Sequence, residues 1–203
     1  MHPLRKSGYG AWVALGVLAA ACASSSVLNL QYQLPAQPGV AIPHSVVIVF
    51  QDARKNSAFL TPSAREELEG FADVYALTVS KRGRSGELKG AYPLGPLFTE
   101  ILHYRLEDSG VKVMPPGADA DAEFNLVLNE FQLDFKDRTW SASVAYQARL
   151  LKSGSLLSMQ AVNGSAERVM IMKRADAEKV VGELVSDTIN QMDLAGLFQR
   201  AGL

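Results

Sequence analysis

Cys22 is the single cysteine in the 203 residues, and its thiol is the most reactive side chain that the sequence offers. It stands in the segment ALGVLAAACASSS, after an apolar run and before three serines. A single cysteine cannot form a disulfide within the chain, so covalent modification of the thiol is the chemistry to consider.

The residues before Cys22 have the order of an export signal. Arg5 and Lys6 stand near the start with no acidic residue, and an apolar run at 11–21 follows them. A helix that crosses a bilayer needs about 20 apolar residues, so this run is too short to span one. We therefore interpret residues 1–21 as a signal peptide that is removed.

The cleavage signal has two interpretations. The three alanines at 19–21 satisfy the small-residue rule of ordinary signal cleavage. The segment LAAAC also resembles the lipobox of bacterial lipoprotein precursors, whose cysteine is alkylated with diacylglycerol and becomes the first residue. That family prefers leucine three places before the cysteine, whereas this chain has Ala19 there and Leu18 one place earlier. We favour the lipobox and predict that Cys22 is lipidated.

The lipobox resemblance implies a membrane anchor. It implies several acyl chains on Cys22, which would anchor stably, whereas a single chain binds a membrane only marginally. Ala23 stands where lipoproteins of the inner membrane commonly carry aspartate, so the resemblance implies the outer membrane, facing the periplasm. We divide the chain into a signal peptide at 1–21, a lipidated N-terminus with a short tether at 22–27, and one periplasmic domain at 28–203.

The charge balance limits the partners. Removal of residues 1–21 takes away two of the 20 basic residues and none of the 21 acidic ones, which leaves a net charge of −3. This balance predicts no nucleic-acid partner. The partners that we expect are the membrane, through the acyl chains, and an envelope protein. The sequence predicts neither a ligand nor an oligomeric state.

Hydrophobic periodicity predicts a two-layer α+β domain with helices on one face of a largely antiparallel sheet. The predicted elements are a strand at 28–34, a strand at 45–50 covered on both faces, a short helix capped by Thr61 or Ser63, a strand at 74–79, a polar loop at 80–90, a helix from about Pro96 to Gly110, a three-stranded meander at 124–170 and a helix at about 174–192. In the meander, the apolar positions switch from even to odd at Asn129 and Glu130, which predicts a bulge. The free edge of the first strand is a plausible docking place for another chain.

These segments together resemble one family. The lipobox, LNLQYQLP, VVIVFQDAR, the helix that ends LEDSGVKV, the long hairpin and DTINQMDLAGLFQ are similar to the YajG-type outer-membrane lipoproteins. The resemblance covers most of the mature chain and rests on apolar spacing with a few polar residues, such as Asp52, Arg54, Gly110 and Asp187. It implies an envelope lipoprotein and says little about activity.

The other residues that could do chemistry favour structural roles. His44 precedes a strand and His103 lies on a predicted helix, and neither has a metal-ligand partner at the usual spacing. The acids at 119, 121 and 123 resemble the opening of a calcium loop, but Phe124 stands where that loop needs glycine. We therefore predict no metal site and no cofactor, and we expect these acids to be solvated at the start of a strand.

Nucleophile and acid–base patterns are equally weak. Ser85 and Ser155 lie in polar loops outside any G-x-S-x-G motif, so we expect no catalytic residue. The acids at 66, 67 and 69 fit a helix surface, and the basic residues at 81, 82, 84 and 89 fit a solvated loop, with anionic lipid headgroups or an acidic partner as the functional alternatives. Asp52 and Arg54 fit an ion pair that positions the loop after a strand, or half of a polar site.

The sequence thus favours a lipid-anchored envelope protein that acts by binding and is not an enzyme. Two alternatives stay open at this point. The first is an accessory lipoprotein of an envelope lipid or transport complex. The second is a hydrolase of cell-wall or lipid substrates.

Overall fold

A computed structural model describes residues 27–36, 41–81 and 84–203 of the chain. Runs of strands are separated by single helices, and two helices end the chain, an order typical of an α+β domain. The elements are β1 Val27–Gln33, β2 Ser45–Asp52, α1 Pro62–Glu67, β3 Val74–Ser80, β4 Glu87–Tyr92, α2 Leu94–Asp108, β5 Lys112–Met114, β6 Ala122–Lys136, β7 Thr139–Lys152, β8 Ser155–Val169, α3 Lys173–Asn190 and α4 Leu194–Ala201.

The strands form two sheets. One has the order β1-β3-β4 and the other the order β5-β2-β6-β7-β8. The long pairings β6–β7 and β7–β8 are antiparallel and build the C-terminal meander. The pairs β1–β3, β2–β5 and β2–β6 are parallel. The predicted α+β class is confirmed, and the division into two sheets is a feature that periodicity did not indicate.

The meander follows the predicted pattern. Its register shifts between Leu128 and Glu130, where the apolar positions change parity, so the bulge is confirmed. Each hairpin closes with two residues of positive φ, at 137–138 and at 153–154. Two such residues make a type I′ turn, whose twist matches that of the flanking strands.

The core lies between one face of the five-stranded sheet, the inner face of the three-stranded sheet and the helices. Phe131 of β6 is at its centre, with ring centroids of Phe59 at 4.7 Å and Phe98 at 5.4 Å. Tyr75 of β3 stands edge-on to Phe59 at 5.5 Å and lies 6.2 Å from Phe131 of β6, and this second contact joins the two sheets. Burial raises the pKa of Tyr75, so its hydroxyl stays protonated at neutral pH.

Helix boundaries follow local signals. Thr61 rather than Ser63 is the N-cap of α1, and its hydroxyl accepts a hydrogen bond from the amide of Ala64. Pro96 lies in the first turn of α2, as predicted. Gly110 follows the end of α2 with a φ of +82°, a conformation that glycine adopts without strain.

Two expectations about individual segments are wrong. Only Val46 of β2 is fully buried, because α2 packs on one face of this strand and the other face stays half-exposed. The polar segment at 80–90 is a loop only in its first part, because β4 begins at Glu87. Antiparallel pairing with β3 overrides the weak strand propensity of these polar residues.

Candidate binding groove

Helix α3 runs along the edge of β1 that does not pair with β3. The edge of a strand exposes unpaired amide and carbonyl groups, which natural proteins cover or protect. Residues four apart on a helix lie on the same face, so one row of side chains can follow a strand. The α3 polar row consists of Arg174, Glu178, Gly182, Ser186 and Asn190.

The first half of the α3 polar row binds the start of β1. Arg174 donates through Nη2 to the carbonyl of Val27. Glu178 accepts from both the backbone amide and the side-chain amide of Asn29, each at 3.0 Å. Arg174 also donates to Glu178 at 3.3 Å, which orients the carboxylate toward the strand.

The second half of the row binds the end of β1. The amide of Gln33 donates to Ser186 Oγ at 3.0 Å, and Asn190 Nδ2 donates to the carbonyl of Gln33 at 2.7 Å. The Tyr32 hydroxyl donates to Asn190 Oδ1 at 2.9 Å. Burial raises the pKa of Tyr32, so this hydroxyl remains a donor at neutral pH.

Gly182 lets the helix and strand approach this closely. A Cβ at this position would lie 3.0 Å from the carbonyl oxygen of Gln31 and 3.3 Å from its amide nitrogen. Glycine in a helix interior costs about 1 kcal/mol relative to alanine, so a packing contact explains its presence. The edge that we considered for docking another chain is therefore occupied by α3.

A polar groove of about 400 Å³ opens beside this contact. Its floor is the outer face of β1, where Gln31 and Gln33 point away from the core. One wall is α3, and the other is formed by residues 80, 81 and 84–86. A neighbouring hollow of about 440 Å³ continues the groove toward Asn29 and Ala175.

The groove carries charges of both signs, and several are already paired. Glu183 accepts two hydrogen bonds from Arg168, at 3.0 and 2.8 Å. Lys81 forms an ion pair with Asp108, whose side chain is 4% exposed. The Lys179 and Asp187 side chains of α3 form no ion pair with any other described residue. Both side chains line the groove, so both charges are available to a ligand.

The two histidines lie apart, and each has one acidic neighbour. His44 Nδ1 is 3.7 Å from Asp121 Oδ2, and His103 Nε2 is 3.3 Å from Glu107 Oε1. Asp121 also accepts from the amide and hydroxyl of Ser45, at 2.7 and 2.8 Å, so it joins the starts of β2 and β6. These bonds hold the pKa of Asp121 below its ordinary value.

The Asp52–Arg54 ion pair is confirmed. Arg54 Nη2 lies 2.8 Å from Asp52 Oδ2, and Nε lies 2.9 Å from Oδ1. Arg54 also donates to the carbonyl of Phe131 at 3.4 Å, beyond the bulge of β6. The hydrogen bond from Arg54 lowers the pKa of Asp52, so the carboxylate stays charged and holds the loop after β2.

The other predicted residues are dispersed. Lys81, Arg84 and Ser85 contribute to the groove, whereas Lys89 pairs with Glu87 at 2.7 Å in β4. Ser155 begins β8, and the acids at 66 and 67 lie on α1 with Glu69 just after it. Cys22 and Arg82 lie outside the described residues.

Two searches cover the part of the chain that the structure describes. Within it, no group of three or more histidine, cysteine, aspartate or glutamate side chains could hold a metal ion. No helix within it has the length and apolar character needed to cross a bilayer.

No family model and no curated protein sequence matches the chain. Among solved structures, it is similar to a Xanthomonas campestris protein of the DUF330 family, at 14% identity and a TM-score of 0.50, over 86% of this chain and 95% of that chain. It is also similar to a Neisseria meningitidis lipoprotein, at 12% identity and a TM-score of 0.41, over 73% of this chain and 97% of that chain. Of these two, the first likeness is close enough to show a shared fold.

The sequence analysis missed the α3 polar row. From the sequence, the residues at 178 and 190 fall on the polar face of the predicted helix, opposite its apolar face, but in the structure both are partly buried against β1. The available signal was the spacing of Gly182 and Ser186, two small residues four apart inside a long helix. Such a pair allows another backbone to approach, although it does not say which backbone.

Proposed function

We propose that this chain is a lipid-anchored envelope protein that acts by binding, of the kind that the YajG-type resemblance implies. Its mature form begins at Cys22 on the periplasmic side of the outer membrane. The observation that carries the proposal is how near Cys22 lies to the described fold: Val27, the first described residue, already belongs to β1 and lies five positions after Cys22. Cleavage before Cys22 therefore removes no described strand or helix.

The short tether supports an anchor rather than a free domain. The segment ASSS after Cys22 has no apolar pattern to bury, as expected of a linker. The described fold is complete without the preceding residues, because the α3 polar row covers the outer edge of β1. A lipoprotein needs this arrangement, since its first residue stays in the membrane while the domain folds beside it.

The groove supports binding rather than catalysis. Its lining holds no histidine or cysteine among the described residues, and its acids at 178 and 183 are already bonded to arginines. The exposed charges of Lys179 and Asp187, together with the amide side chains of Gln31 and Gln33, suit a polar segment of a partner protein. We therefore propose an envelope protein as the ligand of this groove.

Acylation is tested first. Cells that express the natural chain or Cys22→Ser are labelled with radioactive palmitate and then fractionated. We expect label in the natural protein, which stays with outer membranes, and none in Cys22→Ser, which becomes free in the periplasm. A natural protein that carries no label and washes from membranes in buffer would refute the proposed anchor.

The groove is tested separately by photocrosslinking in cells. A photoreactive amino acid replaces Lys179 in the groove, and the matched control replaces Lys152, which is exposed at the end of β7. We expect a discrete crosslinked protein from position 179 that is absent from position 152. Equal crosslinking at both positions, or none at 179, would contradict a binding role for the groove.

A further inference from the structure

Large apolar side chains are exposed together in the segment that joins β8 to α3. Val169 is 63% exposed, Ile171 84% and Met172 67%. The other large exposed apolar side chains of the described residues lie elsewhere, Leu88 in β4 and Leu156 and Met159 near the start of β8. We call residues 169–172 the apolar loop. Clustered exposure of this kind marks an interaction surface, whereas single exposed side chains do not.

The apolar loop lies beside the start of the folded chain. Arg174, two residues after Met172, donates to the carbonyl of Val27, the first described residue. Val27 lies five positions after Cys22, and an extended chain covers at most about 3.6 Å per residue, so the tether reaches about 18 Å. An anchor on Cys22 therefore keeps this end of the domain at the membrane.

The exposed apolar side chains at the opposite end of the domain lie too far from the Cys22 anchor to contact the membrane in place of the apolar loop. Leu156 lies thirteen positions before Val169 in the same strand, β8. At about 3.3 Å per residue, the two side chains are roughly 43 Å apart. Leu88 of β4 pairs with Thr78 of β3, four positions beyond the residue that pairs with Val27, and it is a single exposed apolar side chain rather than part of a cluster.

The backbone amides at 170–172 in the apolar loop already donate hydrogen bonds within the protein. Asp176 Oδ2 accepts from the amide of Ile171 at 2.7 Å and from that of Met172. The amide of Met170 donates to the carbonyl of Arg138 at 2.8 Å. Unpaired backbone groups are costly in lipid, so a loop whose amides are bonded within the protein can bury its side chains there.

The charges around the loop are balanced rather than basic. Lys173 lies 3.7 Å from Glu67, and Arg174 lies 3.3 Å from Glu178. Attraction to anionic headgroups is therefore small, and burial of apolar side chains is the main driving force. This balance favours a lipid surface of any headgroup charge over a strongly charged protein partner.

We propose that the apolar loop inserts its side chains into the membrane surface beside the Cys22 anchor and so fixes the orientation of the domain. The proposal rests on the proposed lipid anchor. The loop is the second membrane contact, and it holds the polar groove at a constant angle to the bilayer. It lies in the interface and does not span the membrane.

The test uses tryptophan as a depth probe in the full chain on vesicles that contain brominated lipid, a quencher of indole. Ile171→Trp probes the loop, and Leu156→Trp is the matched control. Both native side chains are exposed, so the membrane affinity of tryptophan itself affects both positions equally. We expect blue-shifted, quenched emission at 171 and unchanged emission at 156, with equal results in zwitterionic and anionic vesicles. Equal emission at the two positions would overturn the proposal.

Two further arms separate the inference from the proposed anchor. If the natural protein is not acylated, Cys22 is coupled to a maleimide lipid, and the same comparison is made on the coupled protein. In the Cys22→Ser form, Ile171→Ser with Met172→Ser should lower vesicle partitioning on the order of tenfold per residue. Unchanged partitioning would overturn insertion. A blue shift that appears without vesicles and grows with protein concentration would also overturn it, because it would show that the loop binds a second copy of the chain.

Discussion

Gly164 of β8 is a position where a single methyl group should reverse the usual effect of replacing glycine. Alanine is ordinarily better than glycine in a strand, by about 0.5–1 kcal/mol. A Cβ at this position, however, would lie 2.5 Å from Thr188 Cγ2 and 3.2 Å from Leu184 Cδ1. Thr188 is 2% exposed, and its hydroxyl donates to the carbonyl of Leu184 at 2.8 Å, so a rotation away from the new methyl group would break this hydrogen bond.

The structure sets the expected magnitude. Carbon atoms pack at about 3.5–4.0 Å, so α3 must move by about 1 Å or Thr188 must leave its rotamer. Overpacking of this size costs about 1–3 kcal/mol, and the propensity gain offsets part of it. We expect Gly164→Ala to destabilise the domain by about 1–2 kcal/mol, or about 2–8 °C in Tm.

Thr188→Ser supplies the matched second variant. It removes the methyl group that clashes and keeps the hydroxyl that bonds Leu184. Loss of one buried methyl should cost about 1 kcal/mol. The double variant should be no less stable than Thr188→Ser alone, which gives a favourable coupling of about 1–2 kcal/mol between positions 164 and 188.

The measurement is urea unfolding, followed by circular dichroism, of the four proteins of this cycle in the Cys22→Ser background. The reasoning assigns the whole cost of Gly164→Ala to one contact between β8 and α3. A stabilising Gly164→Ala, or a coupling below about 0.5 kcal/mol, would show that the helix yields freely and would refute it.

Three more predictions use the same unfolding measurement. Ser186→Ala should cost about 1 kcal/mol because an amide of β1 loses its acceptor, whereas Asp187→Ala, its exposed neighbour, should change stability by less than about 0.5 kcal/mol; similar losses would contradict the role of the α3 polar row. The amide of Met172 holds the pKa of Asp176 below its ordinary 3.8. The stability from this bond is therefore present above pH 3.8 and is lost as the pH falls through the lower folded pKa. Asp176→Asn should abolish this acid-dependent part of the stability. An unchanged dependence of stability on acid pH in the variant would be evidence against the role of Asp176. Thr61→Ala removes the N-cap of α1 and should cost about 1 kcal/mol, and a loss below about 0.3 kcal/mol would count against the cap.

Local patterns were sufficient for several elements. The alternation of β1, the bulge at Leu128 and Glu130, the end of α2 at Gly110 and the Asp52–Arg54 pair were all predicted and found. Each depends on residues close together in the chain, where side-chain spacing and backbone preference determine the conformation. The leader and the lipidation of Cys22 lie outside the described residues and stay predictions.

The partners of these elements came only from the tertiary structure. The α3 polar row binds a strand roughly 150 positions earlier in the chain, and polar residues at helical spacing predict a solvated face equally well. The separation of His44 and Asp121 along the chain hid their contact in the same way. The division into two sheets was likewise invisible, because alternation states that one face of a strand is buried but not which strand pairs with it.

The sequence by itself therefore determined most of the strands, helices and turns and their apolar faces, with β4 and the exposed face of β2 as the exceptions. The tertiary structure decided that α3 covers the edge of β1, that a polar groove opens beside them and that the apolar loop stands next to the start of the fold. The physical reason is that hydrogen-bond donors and acceptors are satisfied by whichever groups the packed core brings near them. Which groups pair therefore depends on the packing of the whole chain and not on any one segment.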